Sequence, residues 1–217
     1  MLSRMFLNIS LVGAEWVLYF LVLLSILSIA LIIERWRFYK ISSNGLEDFR
    51  AKVRAAALQG RMQEAQTVAE GRFALLKREG RTPDLETEMT VALLAHPKAS
   101  PEVLGEIAHD SVVRARLQWD SYLAVLATIA SNAPFIGLFG TVLGIIKAFH
   151  DLSQQVGAAA QTVTAGVSEA LVATAFGILV AIPAGVAFNL FQKRVKSAVA
   201  EAEALKAFLV GRLAVKE

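Results

Sequence analysis

Two stretches free of any charged residue, Ser121–Ile146 and Ala170–Gln192, constrain this chain more than any other feature of its 217 residues. Each is long enough to cross a bilayer as a helix, and each carries glycines, a proline and a threonine at matching depth. At ~1.5 Å per helical residue, Thr141 lies ~9 Å from the charged end at Lys147, and Thr174 lies ~7.5 Å from the charged end at Glu169. Two such helices running antiparallel through a short loop bring the threonines nearly level. Pro134 and Pro183 repeat the pattern further towards the opposite face. The pair reads as one built to line something polar inside a membrane.

With 55% hydrophobic and 19% charged residues and a mean hydropathy of +0.52, the chain is too apolar for an ordinary soluble domain yet leaves room for a water-facing region. A third span, Trp16–Ile33, is bracketed by Glu15 and Glu34. A signal peptide is the rival reading. Against it stand a single basic residue, Arg4, ahead of the apolar core, a core longer than usual, and no small-residue cleavage site before Glu34-Arg35. Of the 22 basic residues, 14 fall in the segment 35–122 and 6 follow Gln192. Because basic residues beside spans stay on the cytoplasmic side, the amino terminus is expected outside and the carboxyl terminus inside. Trp16, Tyr19, Trp36 and Tyr39 sit at the two ends of the first span, where rings favour the headgroup layer. The net charge of +3 then reflects topology, with no basic-aromatic pattern suggesting nucleic acid. Zero cysteines exclude disulfides and thiolate metal sites.

Between the first two spans, 12 acidic residues nearly balance the 14 basic ones, as in a folded, solvated region. Apolar spacing predicts amphipathic helices over Leu46–Leu58, with Phe49, Val53, Ala56 and Ala57 on one face, and over Met62–Arg78, with Ala65, Val68, Ala69, Phe73 and Leu76 on one face. Gly60 and Gly80 are expected stops. Pro83-Asp84 and Pro97–Pro101 act as breakers, and from Pro101 a helix is expected to run unbroken into the second span. After Lys193 the third helix continues, with Val195, Val199, Ala202, Leu205, Phe208 and Leu209 in an apolar stripe. Its cover is either the chain's own loop helices or a neighbouring copy.

Small residues recur along one face of each central span: Ala133, Gly137, Gly140 and Gly144 in the second, and Gly166, Ala170, Ala173, Gly177, Ala181 and Ala184 in the third. They permit close backbone approach, which serves a channel and a scaffold equally. Thr141 and Thr174 can each bond back to their own helix, or together form a polar ring. Glu169 either complements the positive end of the third helix, with Ser168 as a cap, or collects protons as an ionisable group at membrane depth. Lys147, His150 and Asp151 read as interfacial anchors, and His96 and His109 lack partners at ligand spacing. No Asp, Glu, His, Lys or Arg lies inside either central stretch, so a proton path needs water or a carboxylate from another subunit. No nucleotide loop, zinc motif or nucleophile elbow is present, and neither an enzyme, a cofactor nor a metal is expected.

Ala130-Ser-Asn-Ala-Pro-Phe-Ile-Gly-Leu-Phe-Gly-Thr-Val-Leu-Gly-Ile145 and Gly166-Val-Ser-Glu-Ala-Leu-Val-Ala-Thr-Ala-Phe-Gly-Ile-Leu-Val-Ala-Ile-Pro-Ala184 closely resemble the signature helices of the MotA/TolQ/ExbB proton-channel family. Three spans with a large loop after the first match its ExbB/TolQ branch. The resemblance implies a homopentameric ring around a pore holding single-span ExbD- or TolR-like helices, each with a transmembrane aspartate. It also implies that Thr141 and Thr174 face the pore near that aspartate, that Glu169 contributes to the path, and that proton-motive force is converted to mechanical work in the cell envelope.

The expectation is therefore an all-α integral membrane protein of the bacterial inner membrane, with three transmembrane helices, a helical cytoplasmic domain, a periplasmic amino terminus and a cytoplasmic carboxyl terminus. Its segments are a periplasmic stretch 1–15, spans 16–34, 121–147 and 169–192, a cytoplasmic region 35–120, a periplasmic loop 148–168 and a cytoplasmic helix 193–217. Thr141, Thr174 and Glu169 are the pore candidates; Gly137, Gly140, Gly144, Gly177, Pro134 and Pro183 are the packing candidates. The alternative is a passive membrane scaffold without ion conduction.

Overall fold

The computed structural model describes residues 15–154 and 159–214, and no strand occurs among them. The expected periplasmic segment 1–15, apart from Glu15, and the centre of the expected loop 148–168 lie outside the described residues. Among the described residues seven helices follow one another: α1 (Glu15–Ser42), α2 (Leu46–Leu58), α3 (Met62–Arg78), α4 (Leu85–Leu94), α5 (Pro101–Trp119), α6 (Leu123–Gln154) and α7 (Ala159–Ala214). Contacts divide the chain into two units. One holds residues up to Glu34 with Tyr122–Leu190, and the other holds Arg35–Ser121 with Phe191–Glu217.

The first unit contains the apolar parts of α1, α6 and α7, three helices long and apolar enough to cross a membrane. Its surface carries Phe135, Leu138, Leu171, Leu179 and Ile182, all more than half exposed, as befits side chains that meet lipid or another helix. Small residues fill the interior instead: Ala133, Ala170, Ala173 and Ala184 are fully buried. α1 joins through Val17, whose Cγ1 lies 3.0 Å from where a Cβ on Gly140 would stand, and through Trp16, edge-on to Phe139 at 6.2 Å.

The second unit is a helical bundle whose α2 and α3 have the expected bounds and bury the expected faces; only Val68 and Phe73 stay half-exposed. Gly60 and Gly80 end these helices with φ of 70° and 67°, a left-handed conformation that costs a residue with a Cβ. Helix α4 shows no amphipathic period because it is buried nearly all round, including Leu85, Met89, Leu93 and Leu94. Asp84 caps it, accepting from Thr87 N at 2.8 Å, and Arg72 from α3 clamps the Asp84 carboxylate at 2.9 Å. Beside it, Arg50 of α2 forks onto Glu86 at 2.9 and 2.6 Å. That hydrogen bond raises the Arg50 pKa against the opposing effect of burial.

Two expectations are corrected here, and one open alternative is resolved. The helix from Pro101 does not run unbroken into the second span; it ends at Trp119, and Tyr122 has a φ of 62°. In a continuous helix the carbonyls of Gln118 and Trp119 would accept from residues four further on. Instead the Tyr39 hydroxyl donates to Trp119 O at 2.7 Å and Arg35 donates to Gln118 O at 3.3 Å, so the helix end is satisfied without continuation. Tyr39 is correspondingly no headgroup ring: it is fully buried between Trp119 and Phe191, with centroids at 5.5 and 5.3 Å. Finally, the apolar stripe of the last helix has its own cover. Val195, Ala202, Leu205 and Leu209 are buried within the single chain, so the stripe requires no neighbouring copy.

Candidate functional site: the α6–α7 hairpin

Gly137 and Gly177 set the spacing of α6 and α7. A Cβ on Gly177 would stand 2.5 Å from Ala133 O and 3.2 Å from the Gly137 Cα, and one on Gly137 would stand 2.6 Å from Ala173 O. Backbone meets backbone at this crossing, and only hydrogen fits. Gly140 and Gly166 extend the seam, their would-be Cβ atoms meeting Ala173 Cβ at 2.9 Å and Ala148 Cβ at 2.7 Å. Gly144 is buried on the same face. Pro134 and Pro183 lie inside unbroken helices. Each lacks an N–H, so the carbonyls of Ala130 and Leu179 have no helical donor.

One turn from the tightest crossing, Thr141 and Thr174 meet, Oγ1 to Oγ1 at 3.1 Å. The back-bonding reading holds at Thr141, whose hydroxyl also lies 2.6 Å from Leu138 O on its own helix. A hydroxyl has one proton. With the Thr141 proton committed to that carbonyl, which can only accept, Thr174 must be the donor between the two hydroxyls. Thr174 is then left with lone pairs and no free proton. Thr141 is 6% exposed and Thr174 half-buried, so the accessible end of the pair is an acceptor.

Glu169 is exposed and does not stand at a helix terminus. α7 begins at Ala159, and macrodipole effects fade within the first turn. Ser168 is no cap either, since its hydroxyl bonds back to Thr164 O at 2.7 Å. A five-residue step places Glu169 about 140° around the helix from Thr174, so the two occupy different faces. Glu169 lines a cavity of about 200 Å³ with Gly144, Lys147, Ala148, Asp151, Ala165, Gly166 and Ala170. Lys147 and Asp151, read from sequence as anchors, therefore share an enclosure with the carboxylate. The Lys147 ammonium also reaches to 4.0 Å from Glu15 of α1.

Sequence reasoning passed over Thr128, Ser131 and Asn132, an exposed polar patch on α6. Thr128 donates to Ala124 O at 2.8 Å, and Asn132 donates to Thr128 O at 2.9 Å. Their presence in an otherwise apolar span was the available signal. His109 lies 3.6 Å from Glu203. Among the described residues no cluster of metal-ligating side chains exists.

Residues 77–204 match the model of the MotA/TolQ/ExbB proton channel family. The chain belongs to this family. Among its relatives are the Tol-Pal system protein TolQ of Pseudomonas aeruginosa, 40% identical over 98 residues, and the biopolymer transport proteins ExbB of Pseudomonas putida, 45% over 91 residues, and of Helicobacter pylori, 45% over 82 residues. These alignments take in 45%, 41% and 38% of this chain and 42%, 28% and 57% of the respective relatives, less than two thirds of each. The likeness places the chain in the ExbB/TolQ branch as a multi-pass membrane protein, and includes the hairpin that holds the threonines.

Proposed function

We propose that this chain is the proton-channel stator subunit of a bacterial inner-membrane motor, converting proton-motive force into mechanical work in the envelope. In this reading the basic residues of the second unit face the cytoplasm and the loop between α6 and α7 faces the periplasm. About five copies surround single-span ExbD- or TolR-like helices whose aspartates supply the titratable group that the spans lack. Thr141, Thr174 and Glu169 serve the proton path; the glycines and prolines hold the hairpin.

The observation that carries this reading is the polarised hydroxyl pair. Buried hydroxyls in an apolar span are costly unless satisfied, and here Thr174 presents an acceptor that only an incoming donor can use. A carboxylic acid is such a donor, a carboxylate is not. The site is thus matched to a partner aspartate in its protonated form and releases it on ionisation, as a stepwise proton carrier requires. A packing scaffold has no use for this polarity. Membrane association of copies follows the same logic, since Thr174 and the Thr128–Asn132 patch would otherwise meet lipid.

The test is proton uptake into vesicles containing the chain co-purified with its single-span partner. The wild-type complex should acidify the lumen under an inward gradient, and the paired Thr141→Val, Thr174→Val variant should not, while native mass spectrometry finds the same assembly of about five copies. Undiminished uptake by the double variant refutes the pore role of the threonines. No uptake by the wild type leaves the passive scaffold.

A further inference from the structure

We infer that Lys147 makes the outer cavity of the α6–α7 hairpin selective for protons over metal cations. The cavity of about 200 Å³ brings two carboxylates, Glu169 and Asp151, together with one ammonium, Lys147. It is wide enough for several waters, and it is held at fixed width by the adjacent contact of Gly166 on Ala148. A third carboxylate, Glu15, approaches the same ammonium from α1 at 4.0 Å, and His150 lies 3.7 Å from Asp151. Without Lys147 this group has what a hard monovalent cation seeks: several oxygens, net negative charge and room for residual water.

With Lys147 in place the tethered ammonium is already the counter-ion. A sodium ion must displace it, against like-charge repulsion in a site partly withdrawn from bulk water. A proton feels the same positive charge, but it joins a carboxylate oxygen covalently, needs no coordination shell and leaves the ammonium where it stands. Lys147 is thus a selectivity residue acting through the charge it holds beside Glu169 and Asp151. Its role rests on the proposed proton path for its purpose, but its effect on cation binding does not.

The chain has no cysteine, which allows the charge to be removed and restored after folding. Full-length K147C, purified in detergent, is compared with wild type by ²³Na line broadening, untreated, after a methanethiosulfonate carrying a quaternary ammonium, and after the neutral methyl reagent. Sodium retention should rise about tenfold or more in untreated and methyl-treated K147C, and fall back to the wild-type level with the cationic reagent. Because one preparation is measured in all three states, altered folding cannot imitate the reversal. Equal retention in all states, or a rise that the cationic reagent does not reverse, overturns the inference. In vesicles with the single-span partner, the ratio of sodium to proton flux should follow the same order. If sodium retention reverses as described while even wild type passes no protons, the channel reading fails and the selectivity of the cavity stands.

Discussion

Gly177→Ala is the most exacting perturbation of the hairpin, because its effect can be worked from three distances. The new methyl would stand 2.5 Å from Ala133 O, where Cβ atoms essentially never come within 3.0 Å. The obstacle is backbone on a helix, which cannot rotate aside. α6 and α7 must therefore part by at least about half an ångström at this level. Thr141 and Thr174 lie one turn away at 3.1 Å; the same displacement carries them to about 3.6 Å, beyond a hydrogen bond. Overpacking of this kind costs about 1–3 kcal/mol, and the lost interhelical bond adds roughly 0.6 kcal/mol, or up to about 1.7.

Unfolding of the full chain in mild detergent, followed by far-UV circular dichroism, should thus show a loss of about 2–5 kcal/mol. Proton uptake should fall with it, since the hydroxyl pair no longer holds Thr174 as an acceptor. Gly185→Ala is the internal control. Its methyl would meet Ala130 Cβ at 3.5 Å, an ordinary contact, and should leave both stability and uptake near wild type. A Gly177→Ala protein as stable and as active as Gly185→Ala would falsify the claim that the glycine crossing positions the threonines.

Other expectations follow from the same geometry. Thr174→Ser keeps the donated proton and should conduct, whereas Thr174→Val should not, with proton uptake in vesicles as the measurement. Arg50→Met leaves Glu86, whose side chain is 2% exposed, as an unpaired buried charge, and should lower the stability of the full chain by about 3 kcal/mol in chemical denaturation, the low end for a broken buried pair because Arg50 itself is partly solvated. Glu88 has its pKa raised above 4.5 by burial, with Lys77 opposing, so folding favours its neutral form. The resulting cost is absent below the ordinary value and grows as pH rises through it; Glu88→Gln should therefore raise the melting temperature at pH 8 and lose that advantage towards pH 4. Gly71→Ala, with open space around the new methyl inside α3, should stabilise the chain by about 0.5–1 kcal/mol.

What could be read from the sequence divides along physical lines. Lipid enforces its rule residue by residue, so the absence of charge over Ser121–Ile146 and Ala170–Gln192 located both central helices, and the small-residue period gave the face on which they meet. α2 and α3 were legible because one side of each meets water and the other a core. α4 was not, since burial on nearly all sides erases the period. The break after Trp119 was invisible for a different reason: its cause, Tyr39 and Arg35 reaching the last carbonyls of α5, lies some eighty residues away in the chain. Of the two readings open for Glu169, the helix-terminal one rests on taking its charge as the end of a helix. Charge marks where apolar surroundings end, and helices continue past that boundary.

The threonines show how far a sequence argument about depth extends. Near-equal distance from the charged ends predicts that Thr141 and Thr174 are level, but level residues need not face each other. Their meeting at 3.1 Å depends on the glycine crossing one turn away, and the direction of their hydrogen bond depends on Leu138 O, a backbone atom with no sequence signature. A hairpin locked by backbone contact cannot itself flex without losing that bond. On the proposed reading, the moving surface is then the one between the hairpin and the helices it surrounds, and α6 and α7 act as a rigid wall. Cross-linking α6 to α7 through Ser131→Cys and Asn189→Cys, with a linker matched to their separation, should accordingly leave proton uptake intact; abolished uptake in a fully cross-linked, correctly assembled complex would show that the hairpin moves internally.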